Sequence, residues 1–218
     1  MPKEGHNGRV TWNFDSRRLY LCTPLRDDLG AFVRAGIAGG VDIVQLREKH
    51  ADHAQIEAAG KELKKICSDL NVPFIMNDSL ELTLATEADG IHVGQDDIDV
   101  ADCRRALGDE AIIGLSTHEQ SEFDAGLATS ATYLSAGPIV ATPTKPGRPG
   151  TGEEYVRYAL AKPDRPVFVT GGVDADAIDG LWSLGVRHFV VVRALTQSSN
   201  PQASARAIID AIARCESR

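Results

Sequence analysis

The sequence lacks the features that mark several classes of protein. Its four cysteines, Cys22, Cys67, Cys103 and Cys215, are far apart and form no CxxC or CxxH motif, so neither a zinc site nor a disulfide framework is predicted. We expect reduced and mostly buried thiols. No run reaches the roughly 18 apolar residues of a membrane span, and the first residues contain no continuous apolar segment of a secretion signal. A cytoplasmic protein is therefore expected.

Positive charge is also scarce. The 218 residues include 23 Lys and Arg against 31 Asp and Glu, which gives a net charge of -8. This balance argues against a nucleic acid or an anionic membrane as partner and favours small-molecule substrates. The length and the 43% hydrophobic content suit one domain with a sizeable core. Assembly into a homo-oligomer stays an open question.

What the sequence does contain is an alternation of short apolar runs and amphipathic helical stretches from residue 18 to the end. The runs predicted to be strands are RLYLCT (18–23), DIVQLR (42–47), FIMN (74–77), GIHVG (90–94), AIIGLS (111–116), YLSAG (133–137), VFVTG (167–171) and HFVVVR (188–193). Eight such units predict an α/β fold, a single (β/α)8 TIM barrel over residues 18–218, after an N-terminal extension at 1–17. An open, doubly wound sheet is the alternative.

Two aspartates stand where apolar runs end. Asp78 closes FIMND (74–78), and Asp97 closes DGIHVGQDD (89–97). Active sites of such barrels lie at the carboxyl-terminal ends of the strands, so both carboxylates are expected at the same end. Hard oxygen ligands suit Mg²⁺, and the pair predicts a divalent-metal site.

A cation cluster is predicted in VDIVQLREK (41–49). Gln45, Arg47 and Lys49 fall on alternate positions and point the same way in an extended chain, whereas Glu48 points the opposite way and is expected in a structural ion pair. A metal beside an Arg and a Lys can hold a diphosphate and neutralise it as it leaves.

A second anion site is predicted near the last two strands. Gly171 and Gly172 are expected immediately before a helix, where backbone N–H groups can face a phosphate, and Arg193 is expected to end the next strand. This monophosphate is predicted on the opposite side of the barrel mouth from the diphosphate. The segment 141–152, with three Pro and three Gly around Lys145, is interpreted as a binding loop that closes over the diphosphate.

Six motifs, in order across nearly the whole chain, resemble the signature of the thiamine-phosphate synthase family: QLREK, FIMND, DGIHVGQDD, GLSTH, GPIVATPTK and VTGGV. The resemblance implies a transferase of thiamine biosynthesis. Such an enzyme joins hydroxymethylpyrimidine diphosphate to hydroxyethylthiazole phosphate with Mg²⁺, and it releases diphosphate through a dissociative, carbocation-like step.

The resemblance also implies residue roles. The pyrimidine diphosphate would be bound by Gln45, Leu46, Arg47, Glu48, Lys49, Asn77, Ser116 and Lys145, of which Arg47, Lys49, Ser116 and Lys145 would be catalytic. The thiazole phosphate would be bound by Thr142, Pro143, Thr144, Gly172, Val192 and Arg193. Asp78 and Asp97 would bind Mg²⁺. The family commonly has a Ser where this chain has Arg193.

Two alternatives remain at this point. Another phosphate-handling barrel, such as a sugar-phosphate epimerase or an indole-glycerol-type enzyme, would need the phosphate site but not the metal and cation cluster. A thiazole tautomerase-like or regulatory thiazole-phosphate-binding homologue could lose the diphosphate residues, yet Arg47, Lys49, Asp78 and Asp97 are all present.

Overall fold

The computed structural model describes residues 3–4, 10–141, 149–162 and 164–218. A short antiparallel pair, β1 (Lys3–Glu4) and β2 (Val10–Thr11), comes first. The barrel strands are β3 (Leu19–Thr23), β4 (Ile43–Leu46), β5 (Phe74–Asn77), β6 (Gly90–Val93), β7 (Ile112–Thr117), β8 (Tyr133–Ala136), β9 (Val167–Thr170) and β10 (His188–Val191). The helices are α1 (Leu29–Gly39), α2 (His53–Asp69), α3 (Leu80–Ala85), α4 (Val100–Leu107), α5 (Gln120–Leu127), α6 (Gly152–Leu160), α7 (Ile178–Ser183), α8 (Arg193–Thr196) and α9 (Pro201–Glu216).

The strands close into a barrel in which every neighbouring pair is parallel. They follow one another in chain order from β3 to β10, and β10 then pairs with β3, with Phe189 opposite Leu19. The predicted single (β/α)8 barrel is confirmed, and the open sheet is wrong. Within the described part of the chain, no helix is long and apolar enough to cross a membrane.

Local signals explain where several helices begin. Asp52 and Gln55 form a capping box at the start of α2, since each side chain accepts a hydrogen bond from the other residue's backbone N–H. Asn200 accepts from the N–H of Ala203, and Pro201 fills the first position of α9, where no N–H is needed. α1 and α9, from the two ends of the barrel sequence, pack against each other.

Alternation along the strands separates two apolar layers. One layer lies between strands and helices and includes Leu46, Phe74 and Val191. The other fills the barrel interior and consists of Phe14, Tyr20, Ile43, Ile75, Ile112, Tyr133 and Phe168, with Trp12 and Val190 against it. Phe14 precedes the first barrel strand, yet its ring stacks on Tyr133 with centroids 5.3 Å apart. All four cysteines are buried thiols outside any disulfide, as predicted.

Candidate active site

A cavity of about 960 Å³ opens at the carboxyl-terminal ends of the barrel strands. Its volume is near the upper end of the range for small-molecule sites. Its floor is made of buried, uncharged polar side chains, including Tyr20, Gln45, His92, Ser116 and Ser135. Its rim carries charged side chains, including Arg47, Lys49, Asp78, Asp97 and Arg193.

A continuous hydrogen-bond chain crosses the floor. The thiol of Cys22 donates to Gln45 Oε1 at 3.1 Å, and Gln45 Nε2 donates to the Tyr20 hydroxyl at 2.8 Å. The hydroxyls of Tyr20 and Tyr133 are 2.9 Å apart. Burial raises the pKa of both phenols, so they act as neutral donors and acceptors.

The chain continues through His92. Its Nδ1 lies 2.9 Å from the Tyr133 hydroxyl, and its Nε2 lies 2.8 Å from Ser116 Oγ. Gly114 makes room for this arrangement, since a Cβ atom there would lie 2.3 Å from the Tyr133 hydroxyl and 2.5 Å from His92 Nδ1. His92 is buried inside the barrel and also lines the cavity wall.

On the rim, Asp78 has a strained backbone and an acidic neighbour. Its φ is +59°, in the left-handed region that few non-glycine residues adopt, and its N–H donates to the His92 carbonyl at 2.8 Å. Burial raises the pKa of Asp78, the opposing charge of Lys49 lowers it, and the neighbouring carboxylate of Asp97 raises it further. Lys49 Nζ lies 3.1 Å from Asp78 Oδ2. The structure therefore brings the two predicted metal ligands together.

This carboxylate pair fits a magnesium ion better than a zinc ion. Among the described residues, no group of three or more His, Cys, Asp or Glu could form a metal site made of protein alone. Mg²⁺ is usually held by one or two carboxylates together with substrate phosphate oxygens. Asp97 is exposed at the cavity, and the repulsion at Asp78 is the kind that a cation relieves.

Gln45, Arg47 and Lys49 all line the cavity, as predicted, but Glu48 lines it too, so the prediction that Glu48 points the opposite way is wrong. β4 ends at Leu46, so Lys49 reaches the cavity from the following loop. Leu46 itself is 1% exposed and packs in the layer between strands and helices, outside the cavity lining.

Among the described residues, Glu48 is in no ion pair. Its carboxylate instead accepts hydrogen bonds from the backbone N–H groups of Leu25 at 3.2 Å, Lys49 at 2.9 Å and His50 at 2.8 Å. These bonds fold the loop that carries Lys49, so Glu48 acts on the site through the backbone. Asn77 and Ser116 line the cavity. Thr142, Pro143, Thr144 and Lys145 lie outside the described residues, as does most of the predicted binding loop.

The two glycines after β9 form a turn. Gly171 has φ +96° and Gly172 has φ +75°, and a Cβ on Gly171 would lie 2.8 Å from the backbone nitrogen of Ile139. The helix expected immediately after them is wrong, because α7 begins only at Ile178. Asp174 Oδ1 prolongs the turn by accepting from Asp176 N at 3.1 Å and Ala177 N at 2.9 Å.

Arg193 begins α8 and does not end β10. Its side chain is exposed, and it lines the cavity together with Gly172 and Val192. A smaller adjoining cavity of about 270 Å³ is lined by both Arg47 and Arg193. Arg47 and Arg193 are therefore neighbours at the mouth and do not lie on opposite sides of it. Strand β3 alone separates β4 from β10, which explains their proximity.

Sequence reasoning missed Tyr20 and Gln95 as cavity residues, and it missed Tyr133 as the hydrogen-bond partner of His92 beneath the cavity. Gln95 Nε2 donates to the Ser116 carbonyl at 2.6 Å. Tyr20 shares its inward direction with Cys22 two residues later, and Tyr133 with Ser135, so counting alternate positions within every strand would have found both tyrosines.

Comparisons with known proteins agree with this geometry. A family model described as thiamine monophosphate synthase matches residues 19–195. The thiamine-phosphate synthase of Thermobifida fusca is 41% identical over 196 residues, which cover 88% of this chain and 90% of that protein. The thiamine-phosphate synthase of Synechocystis sp. is 36% identical over 196 residues, which cover 90% of this chain. The chain spans only 57% of that relative's length.

Solved structures support the fold. Thiamine phosphate pyrophosphorylase from Pyrococcus furiosus superimposes with a TM-score of 0.81 at 23% identity, covering 91% of this chain and 96% of that one. A 3-hexulose-6-phosphate synthase superimposes with a TM-score of 0.66 at 15% identity, covering 89% of this chain and 99% of that one. At these sequence identities, the superpositions show a shared barrel fold and nothing about function.

Proposed function

Since the chain belongs to the thiamine monophosphate synthase family, we propose that it joins hydroxymethylpyrimidine diphosphate to hydroxyethylthiazole phosphate, giving thiamine phosphate and diphosphate. The observation that carries the proposal is the division of one cavity into an uncharged polar floor and a charged rim. A substrate with a neutral heteroaromatic ring and a diphosphate tail matches that division, with the ring on the floor and the tail at the rim.

The reaction needs no nucleophilic side chain. The C–O bond between the pyrimidine methylene and the diphosphate breaks, and its electron pair leaves on the diphosphate oxygen. The lone pair of the thiazole nitrogen then forms the new C–N bond. The main task of the protein is to stabilise the departing charge and to hold the second ring close to the reacting carbon.

Arg47 and Lys49 stabilise that departing charge. Among the described residues, Arg47 is in no salt bridge, so its guanidinium is available to a bidentate contact with phosphate oxygens. Lys49 is held by Asp78 at 3.1 Å. Ser116 binds the pyrimidine substrate from the floor, and Lys145 is proposed as a further cation for the diphosphate.

Asp78 and Asp97 are the residues that would hold Mg²⁺. When bound, the ion would supply positive charge to the diphosphate oxygens. The turn at Gly171 and Gly172, the neighbouring Val192 and the guanidinium of Arg193 are proposed to hold the thiazole phosphate, together with the segment Thr142–Thr144. The thiazole tautomerase-like or regulatory alternative is not favoured, since the similar proteins are described as synthases.

The decisive experiment is an assay of the purified protein with both substrates, with and without Mg²⁺. We expect thiamine phosphate to form only with the metal, and Arg47→Ala to lower kcat/KM by about 100- to 1,000-fold, the usual effect of losing one preorganised donor. Arg105→Ala, which removes an exposed arginine paired with Asp102 on α4, is the matched control and should retain activity. Undiminished turnover in EDTA would contradict the proposed role of the metal. If no product formed under any condition, the proposed synthase activity would be wrong.

A further inference from the structure

We propose that the buried hydrogen-bond chain from Gln45 to Ser116 runs in one direction and makes the Ser116 hydroxyl a hydrogen-bond donor to the bound pyrimidine ring. His92 and Tyr133 are then positioning residues that act on the substrate through Ser116. The identity of the ring rests on the proposed function, whereas the direction of the chain rests on the hydrogen-bond geometry alone.

The direction begins at Gln45. The thiol of Cys22 donates to Gln45 Oε1 at 3.1 Å, which leaves the Nε2 group to donate to Tyr20 at 2.8 Å. The reversed amide would direct an N–H toward sulfur, a weak acceptor. The Tyr20 oxygen therefore accepts a hydrogen bond from Gln45.

The two tyrosines transmit this direction. Among the described residues, the hydrogen-bond partners of the Tyr20 hydroxyl are Gln45 and Tyr133. Since Gln45 donates, the Tyr20 proton has an acceptor only if it points at Tyr133. Tyr20 is 2% exposed and Tyr133 is fully buried, and a buried hydroxyl proton without an acceptor is costly. Tyr20 therefore donates to Tyr133.

The same argument fixes the tautomer of His92. The Tyr133 oxygen accepts from Tyr20, so its own proton points at His92 Nδ1, 2.9 Å away. Nδ1 is then an acceptor, and the ring proton of the neutral imidazole is on Nε2. Nε2–H donates to Ser116 Oγ at 2.8 Å.

Ser116 is where the chain reaches the cavity. Its oxygen accepts from His92, and its own proton remains to be donated to a ligand in the cavity that Ser116 lines. A pyrimidine ring nitrogen is an acceptor that suits this proton. With the opposite His92 tautomer, Ser116 would donate to the imidazole and would present acceptor lone pairs to the ligand, which suit an amino group instead.

The surrounding packing keeps the chain in place. The ring of Tyr133 packs between Phe14, at a centroid distance of 5.3 Å, and Phe168, at 5.1 Å. Gly114 leaves the space in which Tyr133 and His92 meet. Tyr133→Phe therefore removes the hydroxyl from the chain while it preserves the aromatic contacts.

The first test reads the tautomer in the substrate-free protein. Nitrogen-15 NMR of histidine-labelled protein distinguishes a protonated Nε2 from a protonated Nδ1, and the His92 signal is identified by its loss in His92→Gln. We expect Nε2–H in the wild type and a mixture of tautomers in Tyr133→Phe. An Nδ1–H tautomer or an imidazolium in the wild type would overturn the proposal, whatever reaction the protein catalyses.

The second test separates positioning from general destabilisation. Tyr133→Phe and Ser116→Ala should each raise the KM for the pyrimidine diphosphate by about 3- to 10-fold, the usual effect of one neutral hydrogen bond, and leave the KM for the thiazole phosphate unchanged. The double variant should be no worse than Ser116→Ala alone, because Tyr133 acts through Ser116.

Tyr155→Phe is the matched control. It removes another buried tyrosine hydroxyl, which donates to Thr117 Oγ1 at 2.6 Å, next in sequence to Ser116 but outside the chain. Its two KM values should match those of the wild type. Equal effects of Tyr133→Phe and Tyr155→Phe, or additive effects in the double variant, would overturn the positioning role. If the wild type formed no thiamine phosphate, the proposed function would fail while the tautomer result stood.

Discussion

At the amino-terminal end of the barrel strands, aromatic rings fill the interior, whereas at the carboxyl-terminal end the same interior is lined by polar side chains and opens into a cavity. Phe14, from the segment before β3, packs against Tyr133 and Phe168 at the closed end. Tyr133 belongs to both regions, since its ring packs with the aromatic cluster and its hydroxyl joins the polar floor.

The two ends of the barrel also differ in the partners that their charged side chains have. At the closed end, the carboxylate of Asp42 accepts hydrogen bonds from the backbone N–H groups of Arg18 at 2.6 Å and Leu19 at 3.0 Å, and burial raises its pKa to about 6. At the open end, the acidic neighbours Asp78 and Asp97 repel each other, and among the described residues Arg47 and Arg193 are in no salt bridge. The Asp42 carboxylate has its hydrogen-bond partners within the fold, whereas the two arginines are available to ligands.

The largest effect is expected from Phe14→Ala at the closed end. Removal of a buried aromatic ring leaves a cavity among Tyr133, Phe168 and their neighbours, and should lower the free energy of unfolding by about 3 to 5 kcal/mol. Urea denaturation measures the loss. Phe14→Leu, which keeps most of the volume, should lose much less. A loss below about 1 kcal/mol for Phe14→Ala would mean that the segment before β3 adds little to the core.

At the open end, Arg193→Ala should change binding and leave stability nearly unchanged. One charge-assisted hydrogen bond contributes about 1.5 to 3 kcal/mol, so the KM for the thiazole phosphate should rise by about 10- to 100-fold. The KM for the pyrimidine diphosphate should rise less, although Arg47 lines the same small cavity. Arg206→Ala, which removes an exposed arginine of α9, is the control. If only the KM for the pyrimidine diphosphate rose, Arg193 would belong to the other substrate.

The smallest effect is expected from His188 at the closed end. Its Nδ1 donates to the Arg17 carbonyl at 2.6 Å. Burial lowers the pKa of His188, and the positive charges of Arg18 and Arg187 lower it further. The hydrogen bond to the Arg17 carbonyl and the charge of Asp15 raise this pKa, but by less. The unfolded state therefore binds a proton more readily as the pH falls through about 6.5, and stability is lost there. His188→Gln should lose less stability than the wild type between pH 7 and pH 5. Urea denaturation at pH 7 and at pH 5 measures the loss for each protein. If the wild type and His188→Gln lost the same stability between the two pH values, His188 would not contribute to this pH dependence.

Much of the site could be predicted because the fold places the end of every strand at one mouth. Asp78 and Asp97 were predicted together because each follows an apolar run, and Gln45 and Arg47 because alternate residues of a strand share a face. The roles of Glu48 and of the residues after Gly172 were not predictable. Backbone N–H groups brought close by a loop determine the partners of Glu48, and a turn closed by Asp174 precedes α7.

The sequence alone determined the eight-unit alternation, the closed barrel and the end at which the polar residues gather, because each of these follows from short periodic patterns and from the parallel order of the strands. Only the tertiary structure decided which residues meet across the barrel. Arg47 and Arg193 share a cavity, and Tyr20, Tyr133 and His92 form one hydrogen-bond chain, although they lie far apart in sequence. The physical reason is that barrel closure sets β10 beside β3 and directs side chains from every strand into one small interior, where shape and hydrogen-bond partners depend on all the strands at once.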